Sequence, residues 1–411
     1  MLEEHLRSPV TQRRLRSGPA ADHIDGFADW LHCRGYRLRS IEDLLRALAG
    51  WTDWMCAAGF TAQDVFPAFN ACKAQLEMQP HVRHRRGINR MSLTAASVYV
   101  RFLQGQGVVP PVTSPSPSDL WPLLGAFRSW MRQHRGLTES TLDVYDGVLV
   151  GLLEKLGDDP RSYTAEALRV FVLERARPHG IWRAKTIVVA VRALLRFLGA
   201  TGQCPPGREH AIPGFASWQL TSVPRFLVPE DVERVIDSCA GHANGLRDRA
   251  VILLLARLGL RASEVAGLVF ADIDWSNGRI AMCGKGRRQE WLPLPQEVGA
   301  AILCYLRESR PRLPVREVFT TVVAPFRPLT RASVTHIVRS ALCRTGIKAP
   351  INGAHVLRHS AATAMLRQGA SLASVGAVLR HRSPRTTAHY AKVDFGLLVE
   401  IAQPWPEVSS C

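Results

Sequence analysis

Two separate stretches of this chain carry the same aromatic residues and the same punctuation, and that repetition narrows the available folds more than any single motif does. Phe127-Arg128-Ser129-Trp130 echoes Phe27-Ala28-Asp29-Trp30, Arg135-Gly136 echoes Arg34-Gly35 to within a residue of register, and Ser140 falls where Ser40 falls. Further on, Arg196-Phe197-Leu198, Gly202 and Pro205-Pro206 match Arg101-Phe102-Leu103, Gly107 and Pro110-Pro111 at one constant offset. Aromatic and leucine stripes alone are ordinary helix core. Matched Gly and Pro stops point instead to one small helical module present twice.

In the first copy, helices begin at about Asp22. Phe27, Trp30 and Leu31 mark one that ends at Gly35, and Ser40 opens a second through Leu44, Leu45, Leu48, Trp51 and Trp54. Thr61 caps a third and Ser92 a fourth. In the second copy, Thr138 or Ser140 opens a helix through Leu149 and Leu153, Thr164 opens another through Val170 and Phe171, and Lys185 to Leu198 forms the last. The expected organisation is a helical module over residues 1–107, a Pro- and Ser-rich linker at 108–119, and a second helical domain at 120–206. A linker at 207–224 then leads to a longer domain at 225–411.

From Pro229 the pattern changes. Leu246 to Leu260 reads as a buried helix, and Ala271–Trp275 and Arg279–Cys283 as strands joined by the tight Asn277-Gly278 turn. Gly284-Lys285-Gly286 bends into a third strand, Glu290 to Leu294, before helices return over Pro295–Ser309 and Thr330–Thr345. Another helix starts at Asn352-Gly353, whose free N–H groups favour an anion, and stops at Gly369; its buried stripe is Leu357, Ala361, Ala364 and Met365. Ser371 caps the short apolar run Leu372 to Leu379. A small sheet beside many helices makes the fold mainly α with a small β-sheet, of the α+β class.

The net charge of +17 and an isoelectric point near 10.1, with an ordinary apolar fraction, describe a folded protein that meets a polyanion, or else a merely basic protein of the ribosome-associated kind. The longest strongly apolar run, Ala250 to Ala256, is far too short to span a membrane. The opening MLEEHLRSPVTQRRLR has no apolar core and so is no secretory signal. The expected location is the cytoplasm, with the nucleoid. Nine cysteines without a CxxC pair suit reduced, mostly buried thiols. A zinc site from Cys33, Cys56, Cys72 and His81 or His84 matches no familiar spacing, so no metal is expected.

Two basic surfaces admit two readings each, a solvated charge run or a contact to phosphates. One is the loop His81 to Arg90, with Arg83, Arg85 and Arg86; the other is the edge formed by Arg183, Lys185, Arg192 and Arg196. The N-terminal module itself is either a further DNA contact and spacer or a protein-interaction domain.

Taken singly, the polar residues of the last domain are unremarked types. Arg261 with Glu264 three residues on is an ordinary local ion pair, and Lys285 between glycines is an ordinary turn residue. His355 and His359 have metal-ligand spacing, but Val356 stands where a zinc protease needs its general base. As an ordered set, however, Arg261, Lys285, His355, Arg358, His381 and Tyr390 resemble the active site of the tyrosine recombinases, the phage integrase family. The resemblance rests on Gly259-Leu260-Arg261-Ala262-Ser263-Glu264, Gly284-Lys285-Gly286, His355-Val356-Leu357-Arg358-His359 and Leu379-Arg380-His381 followed by Tyr390. It covers Pro229 to Val393 closely and reaches back loosely to Asp119, where the second module is similar to the family's core-binding domain. Arg380 departs from the family's usual Gly, and is expected to alter a surface or DNA contact rather than the chemistry.

The resemblance implies that Tyr390 attacks a DNA phosphodiester to give a 3′-phosphotyrosyl link and a 5′-hydroxyl. Arg261 and Arg358 bind the non-bridging oxygens as forks. His381 adds a hydrogen bond, His355 donates one or accepts the Tyr390 proton, Lys285 protonates the leaving oxygen, and Glu264 supports the guanidiniums from behind. No carboxylate cluster of the Mg²⁺-holding kind accompanies these residues, so neither a cofactor nor ATP is expected. The implied partners are double-stranded DNA and further copies of the chain, a tetramer when two sites are joined, with other recombinases also possible partners; no membrane is implied. A type IB topoisomerase and a DNA-binding regulator with an inactive site are the competing readings. Asp394 to Ile401 is expected to form a short helix that packs on its own domain or on a neighbour.

Overall fold

The structure is a computed structural model in which residues 2–78, 88–110, 116–216, 224–283, 289–381 and 383–393 are described. The chain divides into two compact units, one of Met1–Val109 with Ser222–Cys411 and the other of Pro110–Thr221. It is mainly helical with one three-stranded sheet.

The N-terminal helices begin earlier than the sequence suggests. Helix α1 (Leu2–His5) and helix α2 (Pro9–Ser17) precede Asp22; Ser8 caps α2 by accepting from the Thr11 N–H, and Pro9 fills its first turn. Leu2, Leu6 and Leu15 from this stretch are fully buried, so its charged residues form only the outer face. Helices α3 (Ile24–Cys33), α4 (Leu38–Ala57), α5 (Val65–Met78) and α6 (Arg90–Gly105) follow. Two caps differ from expectation: α4 starts before Ser40, and α6 is capped by Asn89, which accepts from the Ser92 N–H. The Phe27 ring lies 5.5 Å and the Trp30 ring 5.7 Å from that of Phe102, where α3 packs on α6.

The second unit opens with α7 (Pro117–Leu120), held by a Ser116–Asp119 capping box, and continues with α8 (Pro122–Arg135), α9 (Glu139–Leu156), α10 (Ala165–Ala176) and α11 (Ile181–Ala200). Thr164 caps α10 as expected. Phe127 and Trp130 on α8 each sit 5.8 Å from the Phe197 ring of α11. The aromatic trio of one module therefore recurs inside the other with nearly the same spacings.

The C-terminal part carries its own core around α13 (Gly245–Arg257), in which Ala250 to Leu255 are buried on every side. It is preceded by α12 (Pro229–Asp237) and followed by the one-turn α14 (Ala262–Ala266). The sheet is antiparallel with order β1 (Ile273–Asp274), β2 (Arg279–Cys283) and β3 (Gln289–Pro293), in the register Ile273–Ile280 and Ile280–Leu292. β1 is shorter than expected because Phe270–Asp272 coils into a 3₁₀ turn, with Asp272 accepting the Val269 N–H. Helices α15 (Gln296–Glu308), α16 (Arg331–Thr345), α17 (His355–Arg367), α18 (Leu372–Val378) and α19 (Pro384–Thr387) complete it, and a 3₁₀ turn over Ala388–Val393 carries Tyr390.

Helix α17 starts one residue after Ala354 without a side-chain cap, so Asn352 does not cap it. Its buried surface is also broader than one stripe. Val356 and Leu357 enter the main core, while Ala362 and Leu366 join Val375, Leu379 and Tyr390 in a second cluster; Ala364 and Met365 are only half-buried. The thiols differ from expectation too: Cys72, Cys204 and Cys239 are buried, but Cys33, Cys56, Cys304 and Cys343 are exposed. Among the described residues no helix is long and apolar enough to cross a membrane.

The turn from α13 to α14 depends on Gly259, whose φ is +58° and whose added Cβ would fall 2.6 Å from Leu379 Cδ2. Gly278 has the same φ but open space around it. Gly278→Ala is expected to lose about 1–2 kcal/mol, the left-handed backbone cost alone. Gly259→Ala is expected to lose clearly more, because Leu379 must also move; urea midpoints of the two variants measure the difference.

Candidate active site

The site forms where the ends of α13 and α18 meet α17. Gly259 places its carbonyl, and the end of α18 places the Leu379 carbonyl, so that both receive the Arg358 guanidinium: Nη1 donates to Gly259 O and Nη2 donates to Leu379 O at 2.6 Å. Arg358 is 5% exposed, and burial, with Arg261 nearby, brings its pKa down to about 10.

Arg261 stands at the N-terminus of α14. Its Nη1 and its own backbone N–H both donate to Glu264, each at 2.7 Å, and its Nη2 reaches the Arg380 carbonyl at 3.4 Å. Arg380 corrects the sequence expectation of a surface or DNA contact. Its side chain is 2% exposed and donates from Nη2 to the other Glu264 oxygen at 2.7 Å, and from Nη1 to Val378 O at 3.0 Å. Its φ of +55° is the only left-handed value at a non-glycine among the described residues, and its Nε is buried without a partner. The backbone shape that suits Gly is thus kept by an arginine, which turns inward because the turn directs it there.

Arg261 and Arg380 therefore share one carboxylate, and Arg358 beside them has carbonyl partners only. Burial pushes the Glu264 carboxyl up, but the Arg261 backbone N–H and the charges of Arg380 and Arg261 outweigh it and hold the group below the usual range. The remaining surplus of positive charge opens onto a cavity of about 290 Å³ lined by Arg261, Ser263, Asn352, Gly353, His355 and Arg358, with Arg331 and Thr335 from α16 at its edge. Such a cavity selects an anion.

Tyr390 is 3% exposed, its ring held in the apolar cluster of Ala362, Leu366, Val375 and Leu379. Burial raises its pKa, with Arg358 opposing. Its Oη lies 2.7 Å from His359 Nδ1, so the histidine touching the phenol is one helical turn on from His355, the residue singled out in the sequence. His381 stacks on the Tyr390 ring at 6.4 Å and 8°, and Thr387 fixes the His381 imidazole through a 2.9 Å contact to Nδ1. Gly376 makes room for that threonine: a Cβ there would lie 2.9 Å from Thr387 Oγ1. Burial, then neighbouring cations, lowers His381 to about 4. Burial, then His355, His389 and Arg358, lowers His359 to about 4 as well, and desolvation with Arg358, Arg331 and Arg261 lowers His355. All three imidazoles are neutral at pH near 7.

The structure thus gathers Arg261, His355, Arg358, His381, Tyr390 and Glu264. Lys285 lies outside the described residues, as do Arg83, Arg85 and Arg86 and the segment Asp394 to Ile401. On α11, Arg183 is exposed and Lys185 sits over the exposed Trp182, at 5.8 Å from the ring centroid. Arg192, half-buried, donates to Ile212 O at 2.7 Å, and Arg196, exposed, is 3.7 Å from Glu209. Among the described residues no group of three or more His, Cys, Asp or Glu is placed to hold a metal. Sequence reading missed His359 and Arg380 as site residues; an arginine standing where the family usually has Gly was the one sequence feature that set the second apart.

A helical domain with a small sheet, enclosing a buried phenol beside surplus guanidinium charge, defines the class: a site suited to an anion with a tyrosine at its centre. Residues 225–396 match the model of the phage integrase family. Over 401 residues, 96% of this chain and 96% of its relative, the sequence is 37% identical to the putative integrase/recombinase y4rA of Sinorhizobium fredii. It is 30% identical over 259 residues to tyrosine recombinase XerA of Pyrococcus furiosus, covering 63% of this chain and 85% of that protein. In fold, the XerH site-specific recombinase, seen bound to its palindromic difH substrate, matches with a TM-score of 0.56 over 75% of this chain and 94% of that one, at 20% identity. The chain belongs to the phage integrase family and is a tyrosine-type site-specific DNA recombinase.

Glu264→Gln removes the carboxylate shared by Arg261 and the buried Arg380. The expected loss is about 3 kcal/mol or more in urea unfolding. Sulfate should restore more stability to the variant than to the wild type, since a bound anion replaces the missing charge; equal sulfate responses would count against the surplus-charge description.

Proposed function

We propose that Tyr390 cleaves one DNA strand by attacking its phosphodiester, forming a 3′-phosphotyrosyl link and releasing a 5′-hydroxyl. The observation that carries this reading is the buried Tyr390 phenol, in a ring of neutral histidines, beside guanidiniums that outnumber their carboxylate. Arg261 and Arg358 take the non-bridging oxygens and stabilise the charge that grows on them in the transition state. His381, with Nδ1 engaged by Thr387, has Nε2 available to donate a further hydrogen bond. Lys285, between β2 and β3, protonates the departing 5′-oxygen. The phosphotyrosine keeps the energy of the diester, so rejoining to a new 5′-hydroxyl requires no ATP, and the arginines supply the cationic charge without a metal.

The substrate is double-stranded DNA, in keeping with the charge of +17. Exchange between two duplexes breaks four strands and each chain brings one Tyr390, so four copies act together. Arg183, exposed, and Lys185, half-buried, near the start of α11, are the backbone contacts we assign to the second module. The N-terminal module is a duplicate of that one: α3 to α6 follow the same order as α8 to α11, with a 3₁₀ turn before the third of each set and the same aromatic trio. Work on DNA of this kind places the protein in the cytoplasm with the nucleoid.

Tyr390→Phe should abolish covalent attachment to a nicked suicide duplex while leaving binding within about threefold of wild type, because the phenol contributes to bond making and not to holding phosphate. Arg358→Ala should weaken both. A Phe variant that still forms the adduct would assign the nucleophile elsewhere, and relaxation of supercoiled DNA lacking any special site would favour a topoisomerase.

A further inference from the structure

We infer that His359, rather than His355, accepts the proton that Tyr390 loses when its oxygen attacks phosphorus; the inference rests on the reading of Tyr390 as nucleophile. The hydrogen bond is direct, 2.7 Å from His359 Nδ1 to Tyr390 Oη, which is the distance general-base catalysis requires. His355 is on the same helix, but its ring is 6.3 Å from that of His359 and it lines the cavity with Arg261 and Arg358. There it faces the phosphate, and a proton carried by it is an added donor to the anion rather than one taken from the phenol.

The proton positions follow from chemistry. The phenol is protonated, since burial raises its pKa, and His359 is neutral, its pKa held near 4 by burial and by His355, His389 and Arg358. Tyr390 O–H therefore donates and Nδ1 accepts, which leaves Nε2 carrying the ring hydrogen. In the forward step the O–H bond breaks, its proton passes to Nδ1, the Oη–P bond forms and the bond from phosphorus to the 5′-oxygen breaks, that oxygen taking a proton from the general acid. In the reverse step Nδ1 returns the proton as Oη leaves. Among the described residues the charged and titratable groups around this pair are His355 and Arg358 on α17, Arg261 and Glu264 at α14, Arg380 and His381 after α18, and His389 and Lys392 beside the tyrosine. Neither Glu264 nor Lys392 is hydrogen-bonded to Oη, whose partner among the described residues is His359.

A weakly basic histidine at about 4 becomes a competent acceptor once DNA is bound, because the phosphate brings negative charge into the cluster and raises the imidazole. Its sign is definite: the base works when neutral, so the rate falls as pH falls through the His359 value in the DNA complex.

The test uses the full chain and a nicked suicide duplex carrying the sequence that wild-type protein selects from a random duplex pool. Single-turnover adduct formation is followed from about pH 5 to about pH 9 for wild type, His359→Asn and His359→Ala, with DNA affinity as the folding control. Asn retains a hydrogen-bonding oxygen near the Nδ1 position but takes no proton. Both variants are expected to bind DNA normally, to slow by about 100-fold or more, and to lose the acid limb of the wild-type profile. A duplex with sulfur in place of the 5′-bridging oxygen needs no acid for departure, so it should leave His359→Asn slow while restoring a Lys285→Ala protein. An Asn variant within about threefold of wild type with the same pH profile would overturn the inference and leave His359 a positioning residue. A wild-type protein that forms no adduct overturns the reading of Tyr390, and this inference with it.

Discussion

A buried cation is costly unless its charge is answered or its hydrogen bonds are satisfied, and the two requirements can be met separately. Arg358 is held by the carbonyls of Gly259 and Leu379, which each take one of its N–H groups without cancelling its charge. Arg261 and Arg380 share the one carboxylate of Glu264. The pocket is therefore better supplied with hydrogen bonds than with opposing charge, and that difference organises what surrounds it. The histidines are neutral because positive neighbours and burial oppose a further proton. The phenol stays protonated because, in burying it, the fold favours the neutral form.

The two carbonyls come from distant parts of the chain, the end of α13 and the end of α18, and only tertiary packing brings them to one guanidinium. α13 is aligned by the large core that it shares with Val356 and Leu357 of α17. Leu379 is aligned by the smaller cluster that also holds Tyr390. The phenol and the cation that faces its substrate are thus set by the same few apolar contacts, with α17 as the common wall. Left-handed backbone at Gly259 and Arg380 turns each carbonyl into place. On the proposed mechanism, structural stability and phosphate affinity are coupled through these turns.

Much of this was legible in the chain itself. The helix caps at Thr61, Thr164 and Ser371, the Asn277-Gly278 hairpin and the matched punctuation of the two modules all express local chemistry, which sequence records directly. The gathering of Arg261, His355, Arg358, His381 and Tyr390 was legible through the order of their motifs. What was not legible is set by side-chain direction. A one-turn step along α17 separates His355 from His359, and only the path of the 3₁₀ turn after α19 decides which one meets the phenol. Arg380 misled for a similar reason: an arginine is ordinarily solvated, and nothing local indicates that a left-handed turn will aim it at Glu264. The early helices α1 and α2 escaped notice because Leu2, Leu6 and Leu15 are too sparse to make a stripe, though Ser8-Pro9 marked the start of α2.

Strand exchange, unlike hydrolysis, needs a covalent intermediate that waits for the right nucleophile. On the proposed mechanism, a tyrosine set in an apolar cluster keeps water from its phosphate ester, while the guanidiniums hold the phosphate ready for a 5′-hydroxyl delivered by the paired strand. A strong base beside Oη would favour formation of the intermediate but would hold its proton when the reverse step needs it. A histidine made weakly basic by burial and cationic neighbours gives that proton back easily, and the arriving phosphate adjusts its strength in proportion to its own charge. The uneven charge of the pocket therefore serves both directions: it draws the phosphate in, and it keeps the proton acceptor weak enough for the strand to be rejoined.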